Sequence, residues 1–191
     1  MKEPETLLIS GADVRALLPM GECIEVMAGA LRSVTDGSSV RPPRTVMRLD
    51  GTPNAFAALP AVVGRGAGAS LGAKIITVFP GNDATPYDAH IGAVLLFDAE
   101  HGKLLAIADA SSITAIRTSA VSGLATRLLA REDAHELALL GAGVLAIPHI
   151  EAVRCVRDIR RVRVWSRSGD RATELAARAR KRFDVEIVVA S

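Results

Sequence analysis

Aromatic side chains are scarce in this sequence: 4 Phe, 1 Trp and 1 Tyr among 191 residues. A chain that stacked nucleic acid bases would carry more of them, and no zinc-binding or RNA-binding pattern makes up the deficit. Cysteine is nearly as rare. Cys23 and Cys155 are too few and too far apart to staple a chain of this length, which excludes a disulfide scaffold and predicts free thiols in a reducing cytoplasm. Long apolar runs are missing too. The longest, residues 136–150, is broken by two glycines and a proline and falls short of the roughly 20 residues that span a bilayer. The N-terminal stretch has no basic region followed by an apolar segment, so no secretory signal is expected. No His, Cys and carboxylate cluster has metal-ligand spacing, and neither a G-x-S-x-G nor a Walker sequence occurs. Metalloenzyme, serine hydrolase and P-loop NTPase are therefore unsupported.

What is present is aliphatic. Hydrophobic residues make up 49% of the chain against 23% charged, and 16 Gly and 9 Pro show no period, so the sequence is neither disordered nor collagenous. Its length predicts one or two domains. The net charge of +2 conceals a polarity: residues 151–183 hold 11 Lys/Arg against 4 Asp/Glu. Such a cluster is either a phosphate-binding surface or a solvated helix face, and without interleaved aromatics it does not point to nucleic acid.

Along the chain, residues 7–9 read as a short strand, and Ser10 with Asp13 three residues later has the pattern of a capping box opening a helix. Ile24, Met27, Ala28 and Leu31 repeat at helical spacing and predict a second helix ending near residues 36–37. Short strands are expected at 45–49, 55–59, 71–79, 91–97 and 104–108, with a hairpin loop at 98–102. This part reads as α+β with an antiparallel sheet. A helix follows over 111–130, and at 100° per residue Ile113, Arg117, Val121, Leu124 and Leu128 fall within about an 80° arc. Arg117 in that stripe calls for an anion, from the protein or from a ligand, unless its side chain snorkels to water. Lys74 shares an apolar strand face with Ile76 and Val78. There it is either an edge-strand guard against unwanted pairing or a cation with a purpose.

After residue 131 the pattern changes. Leu137–Leu140 runs into Gly141-Ala142-Gly143-Val144-Leu145-Ala146, then a helical stretch to about residue 156 and a strand at 162–165. This order of strand, G-x-G-x-x-A, helix and strand is a dinucleotide-binding fingerprint: Gly141 for the tight turn, Gly143 for close approach to a pyrophosphate, Ala146 for helix–sheet packing. Phosphate would lie at the helix N-terminus. The second strand ends in Ser166-Arg167-Ser168, without the carboxylate that binds a ribose 2′-hydroxyl. A guanidinium flanked by hydroxyls suits a 2′-phosphate, so NADP(H) is favoured and NAD(H) is the alternative. Pro148 falls near the end of the helix's first turn, where proline costs less than in the interior, and His149 reads as a packed or half-exposed helix residue.

Arg41-Pro42-Pro43-Arg44-Thr45-Val46, Gly72-Ala73-Lys74-Ile75-Ile76-Thr77, Val94-Leu95-Leu96-Phe97-Asp98, the stretch 113–122 (ITAIRTSAVS) and the glycine motif together give the chain its identity. With these stretches in family order and at family spacing, it resembles the ornithine cyclodeaminase/mu-crystallin family. The resemblance implies an α+β domain over 1–130 that binds substrate and forms a homodimer, ending in a long connecting helix, and a partial Rossmann domain over 131–191. It implies that Arg44, Lys74 and Arg117 hold the carboxylate of a small amino or imino acid. It further implies that Thr118 and His90 line the cofactor side of the pocket, and that Val144 and Leu145 lie along the pyrophosphate. The activity implied is hydride transfer at the α carbon–nitrogen bond, either reduction of a cyclic ketimine such as pyrroline-2-carboxylate or cyclodeamination of ornithine to proline. The Ser-Arg-Ser strand end leans toward a reductase. A non-catalytic NADPH or small-ligand binder of the crystallin kind, or an inactive truncated fragment, is the competing reading. The sequence departs from the family at Leu145, where Gln is common, and at Pro148. Residues 185–191 read as the third Rossmann strand, which puts the family's catalytic Asp beyond residue 191.

Overall fold

The structure, a computed structural model, describes residues 5–190, and Met1–Pro4 and Ser191 lie outside it. The chain divides into two compact units. One is Met1–Leu18 with Gly29–Thr114, the other Pro19–Ala28 with Ala115–Ser191; of the three division points, those after Ala28 and Thr114 fall inside helices and that after Leu18 falls between two.

The first unit is built on a six-stranded sheet of β1 (Leu7–Ile9), β2 (Thr45–Arg48), β3 (Ala55–Val63), β4 (Ser70–Val78), β5 (His90–Phe97) and β6 (Leu104–Asp109), in the order β1-β6-β5-β4-β3-β2. β2 to β6 pair antiparallel, as the short turns between them require. The expected antiparallel sheet is formed by β2 to β6, and β1 joins its edge in parallel with β6. Almost a hundred residues separate these two strands, so no hairpin dictates their direction. β3 also outruns its expected end, passing Pro60 to Val63. A proline is tolerated there because it falls in the gap between the pairing of residues 55–58 with β2 and the Val40–Val62 bridge, where no carbonyl needs the missing N–H.

Local chemistry sets the joints. The hydroxyl of Ser10 accepts from the Asp13 N–H while the Asp13 carboxylate accepts from the Ser10 N–H, a reciprocal box that opens α1 (Gly11–Leu17). The Ser10 hydroxyl, which donates to the Asp13 carboxylate at 2.7 Å, and the Ser10 N–H hold the Asp13 carboxyl below its ordinary range. Between β5 and β6 the predicted hairpin loop closes through Asp98 N–H to the Lys103 carbonyl at 2.8 Å, with Gly102 at φ 72°. Gly92 is demanded by packing: a Cβ there would collide with the Ile75 carbonyl of β4.

In the second unit, β7 (Glu136–Leu140), β8 (Arg161–Trp165) and β9 (Glu186–Val189) form a parallel sheet in sequence order. α4 (Ala146–Arg154) and α5 (Gly169–Arg180) connect them, the β-α-β-α-β order expected of a Rossmann half. Ile147, Ile150, Val162, Val164, Leu175, Phe183 and Ile187 form one contiguous core.

Two long helices run through the division points: α2 (Met20–Thr35) and α3 (Ala110–Leu129). α3 corrects the expected buried stripe. Its buried positions are Ala110, Ile116, Ser119, Ala120, Gly123 and Leu124, whereas Arg117 is exposed and Leu128 is 70% exposed. Small residues decide the face. A Cβ on Gly123 would stand 2.9 Å from the Ala152 carbonyl of α4, so the two helices cross where neither has bulk. Of the larger aliphatics in the expected stripe, Leu128 is turned to solvent, Ile113 and Val121 are half-buried, and Leu124 stays buried.

Candidate functional site

The glycine turn lies between β7 and α4, at the carboxyl end of the parallel strands. Gly141 has φ 120°, a conformation side chains rarely adopt, and its N–H donates to the Trp165 carbonyl at 2.7 Å. That bond brings the turn beside the end of β8, where Ser166, Arg167 and Ser168 follow. Gly143 and Val144 are exposed, Leu145 is half-buried, and Ala146 is buried against the sheet. Backbone is thus presented to solvent at a helix N-terminus whose cap, Leu145, supplies no side-chain hydrogen bond. This donor set fits the pyrophosphate of a dinucleotide. Pro148 is the third residue of α4, and lacking an N–H it leaves the first turn one donor short.

Beside the turn, Arg167 is exposed and has no ion pair among the described residues. Ser168 has a task that the sequence reading did not assign: its hydroxyl caps α5, accepting from the Arg171 N–H at 3.3 Å. A capping oxygen still has its own proton to donate, so capping and phosphate binding are compatible.

α3 begins in the first unit and ends in the second. In the first unit its opening turn is fastened to the sheet: Ser111 donates to the His90 carbonyl at 2.8 Å, and Lys74 Nζ donates to Thr114 Oγ1 at 3.1 Å. Asp109 accepts from the Ser112 N–H at 2.7 Å, capping the helix. Lys74 is half-buried on β4, an interior strand, which removes the edge-strand explanation for a lysine there. The His90 side chain is exposed at the start of β5. Arg44 is exposed just before β2, and neither it nor the His90 side chain bonds to another described site residue.

In the second unit Arg117 is exposed, with Thr118 half-buried beside it, and Arg117 has no salt bridge among the described residues. Burial raises the pKa of the Cys23 thiol, and the positive charge of Arg117 opposes that rise. The basic segment 151–183 is largely occupied with structure. Arg157 donates to the carbonyls of Arg127, Ala130 and Arg131 at the end of α3, and Arg161 bridges Glu136 and Glu186 across the three strands. Arg182 pairs with Glu151 and lies over the Phe183 ring. Sequence reasoning missed Thr114, Arg157 and a triad of Ser119, Ser122 and His149, whose only sequence signal is the spacing of hydroxyls along α3.

A family model for the ornithine cyclodeaminase/mu-crystallin family matches residues 4–191. The chain belongs to that family. Among curated relatives, a delta(1)-pyrroline-2-carboxylate reductase of Bacillus cereus is 36% identical over 177 residues, covering 93% of this chain and 54% of that protein. The ketimine reductase mu-crystallin of Mus musculus is 37% identical over 142 residues, 74% of this chain and 45% of the mouse protein. This chain therefore spans about half the length of the curated relatives it matches. Among solved structures, delta(1)-pyrroline-2-carboxylate reductase of Thermococcus litoralis in complex with NADH and L-proline superposes with a TM-score of 0.91 at 30% identity, over 97% of this chain and 57% of that one. An archaeal alanine dehydrogenase dimer with bound NAD gives 0.88 at 26% identity, over 97% and 56%. Among the described residues no helix is long and apolar enough to cross a membrane, and no cluster of His, Cys, Asp and Glu could hold a metal ion.

Proposed function

We propose that this chain supplies the carboxylate-binding residues and the dinucleotide turn of an NAD(P)-dependent reductase acting on a small cyclic imino acid such as pyrroline-2-carboxylate. Cyclodeamination of an amino acid is the second activity of the same machinery. The observation that carries the reading is the turn itself: Gly141 at positive φ, exposed backbone at Gly143 and Val144, and buried Ala146 at the mouth of parallel strands. The relatives' names support the substrate class.

At such a turn Gly143, Val144 and Leu145 would hold a dinucleotide, which when bound would supply the hydride that, with a proton, reduces C=N to an amine. The residues of this chain bind and orient. The amides of Val144 and Leu145 face the pyrophosphate. Arg167, with the Ser166 and Ser168 hydroxyls, takes a ribose 2′-phosphate and favours NADP(H). Arg44, Lys74 and Arg117 are the cations for the substrate carboxylate, and Thr118 and His90 line the cofactor side. Orientation of a carboxylate and exclusion of water dominate such a reaction, so the absence of an activated nucleophile from this set is consistent with it. A homodimer is part of the proposal, since the first unit leaves Leu8 78% and Met47 55% exposed on its outermost strands.

Fluorescence titration of the chain with NADPH and NADH tests the cofactor assignment. Arg167→Ala is expected to weaken NADPH binding about tenfold and leave NADH unchanged, because one bidentate phosphate contact is lost. Equal loss for both nucleotides would remove the 2′-phosphate assignment. No response of the unaltered chain to either would remove dinucleotide binding.

A further inference from the structure

His149 is the fourth residue of α4, and its imidazole is gripped on both edges. Nδ1 lies 2.8 Å from the Leu145 carbonyl and 2.9 Å from Ser119 Oγ, and Nε2 lies 3.0 Å from Ser122 Oγ. A carbonyl only accepts, so Nδ1 carries a proton, and in the neutral ring Nε2 accepts a hydrogen bond from the Ser122 hydroxyl. Ser119 is fully buried. The Leu145 carbonyl therefore receives two donors from one residue, the His149 backbone N–H at 3.0 Å and its ring N–H. The same peptide unit is held at its other end, where the Ala146 N–H donates to the Gly143 carbonyl at 3.0 Å.

We infer that His149 is a positioning residue that locks the glycine turn to α3. It acts through the Leu145–Ala146 peptide plane, which joins the turn to its helix, and sets that plane in register with the helix carrying Arg117 and Thr118. The close crossing of Gly123 over Ala152 one turn further on keeps the two helices at the separation the imidazole spans. A residue that only filled space would not need both ring nitrogens satisfied by α3 and by the turn at once. The inference rests on the dinucleotide reading of the turn. It adds to that reading a residue outside the G-x-G-x-x-A segment whose effect is common to both nucleotides, since the pyrophosphate is common to both.

The test compares His149→Ala, His149→Asn and Ser122→Ala with the unaltered chain, using NADH and NADPH titrations, thermal melts and nitrogen-15 NMR of the imidazole. His149→Ala is expected to weaken NADH and NADPH equally, by about tenfold. His149→Asn, whose amide N–H can still reach the Leu145 carbonyl, should recover most of that loss, and Ser122→Ala should lose less than His149→Ala. In the unaltered chain without nucleotide, NMR should find Nδ1 protonated and Nε2 bare. An Nε2–H tautomer, or His149→Ala that melts lower yet binds both nucleotides normally, would overturn the positioning role and leave the dinucleotide reading standing. So would Asn giving no recovery. Failure of the unaltered chain to bind either nucleotide overturns both.

Discussion

The two units bury their side chains in different ways. The buried hydrophobics of the first, up to Leu18 and from Gly29 to Thr114, are Val14, Ala55, Ala57, Ala106 and Ala110. Four of the five are alanine, and the larger aliphatics of its central strands, such as Leu71, Ile75, Ile76, Val94 and Leu95, are only half-buried. The second has an interlocked core of branched aliphatics, with Ile150, Val162, Val164 and Ala176 fully buried. Alanine removes little apolar area from water, whereas each buried Ile, Val or Leu contributes about 1.5–3 kcal/mol. The second unit thus carries its stability inside. Exposed aliphatics do not separate the units: the first leaves Leu7, Leu8, Val40 and Met47 outside, and the second leaves Leu129, Leu140 and Val144.

The sharpest way to break this contrast is a pair of leucine truncations. Leu175→Ala, at a site 2% exposed, should cost about 2–5 kcal/mol, read by urea unfolding with Trp165, which reports on the second unit. Leu8→Ala, at a site 78% exposed, should change stability by less than about 0.5 kcal/mol in a monomer. A concentration-dependent loss at Leu8 would instead indicate that a second copy buries it. Equal losses at the two leucines in a dilute monomer would show that the contrast in burial does not govern stability.

A smaller effect separates the charges that hold structure from those that face water. Arg157→Ala removes a guanidinium bound to three carbonyls at the end of α3 and should cost about 1–3 kcal/mol. Arg160→Ala removes an exposed pair with Asp158 and should cost under about 1 kcal/mol. If the two variants unfold alike, the basic segment is a solvated face after all.

Legibility in the sequence followed the range of the interactions. The strands, the Ser10–Asp13 box, the hairpin loop and the glycine turn depend on neighbours within a few residues, and all were readable. The parallel pairing of β1 with β6, the face on which α3 packs and the partners of Arg157 depend on residues distant in sequence. For α3 the pattern misled in a definite way: it weighted Val121 and Leu128 by size, whereas the crossing with α4 selected Ala120 and Gly123 for smallness. Lys74 was ambiguous until the strand order made β4 interior. His149 could be read as packed but not as bridging, because Ser119 and Ser122 come from a different helix.

The smallest predicted effect is acid sensitivity, and it also distinguishes the units. In the first, N–H and O–H donors from Ser10, Ser38 and the 98–101 turn hold the carboxyls of Asp13, Asp36 and Asp98 below their ordinary values. A folded-state pKa below the unfolded one, about 3.9 for Asp, stabilises the fold above that pH, and the contribution is lost as pH falls through the lowered value. In the second unit Arg160, through its hydrogen bond and charge, lowers Asp158 in the same direction, but the aliphatic core beneath does not titrate. Lowering the pH from 5 to 3 should therefore expose the amides of α1 and the 98–102 turn to hydrogen exchange before those of Val162 and Val164. Asp13→Asn should lessen the acid response of α1 alone, because the replacement keeps an acceptor for the Ser10 N–H but has no charge to lose. Earlier exchange at Val162 and Val164 would mean that the second unit depends on its surface ion pairs more than on its core.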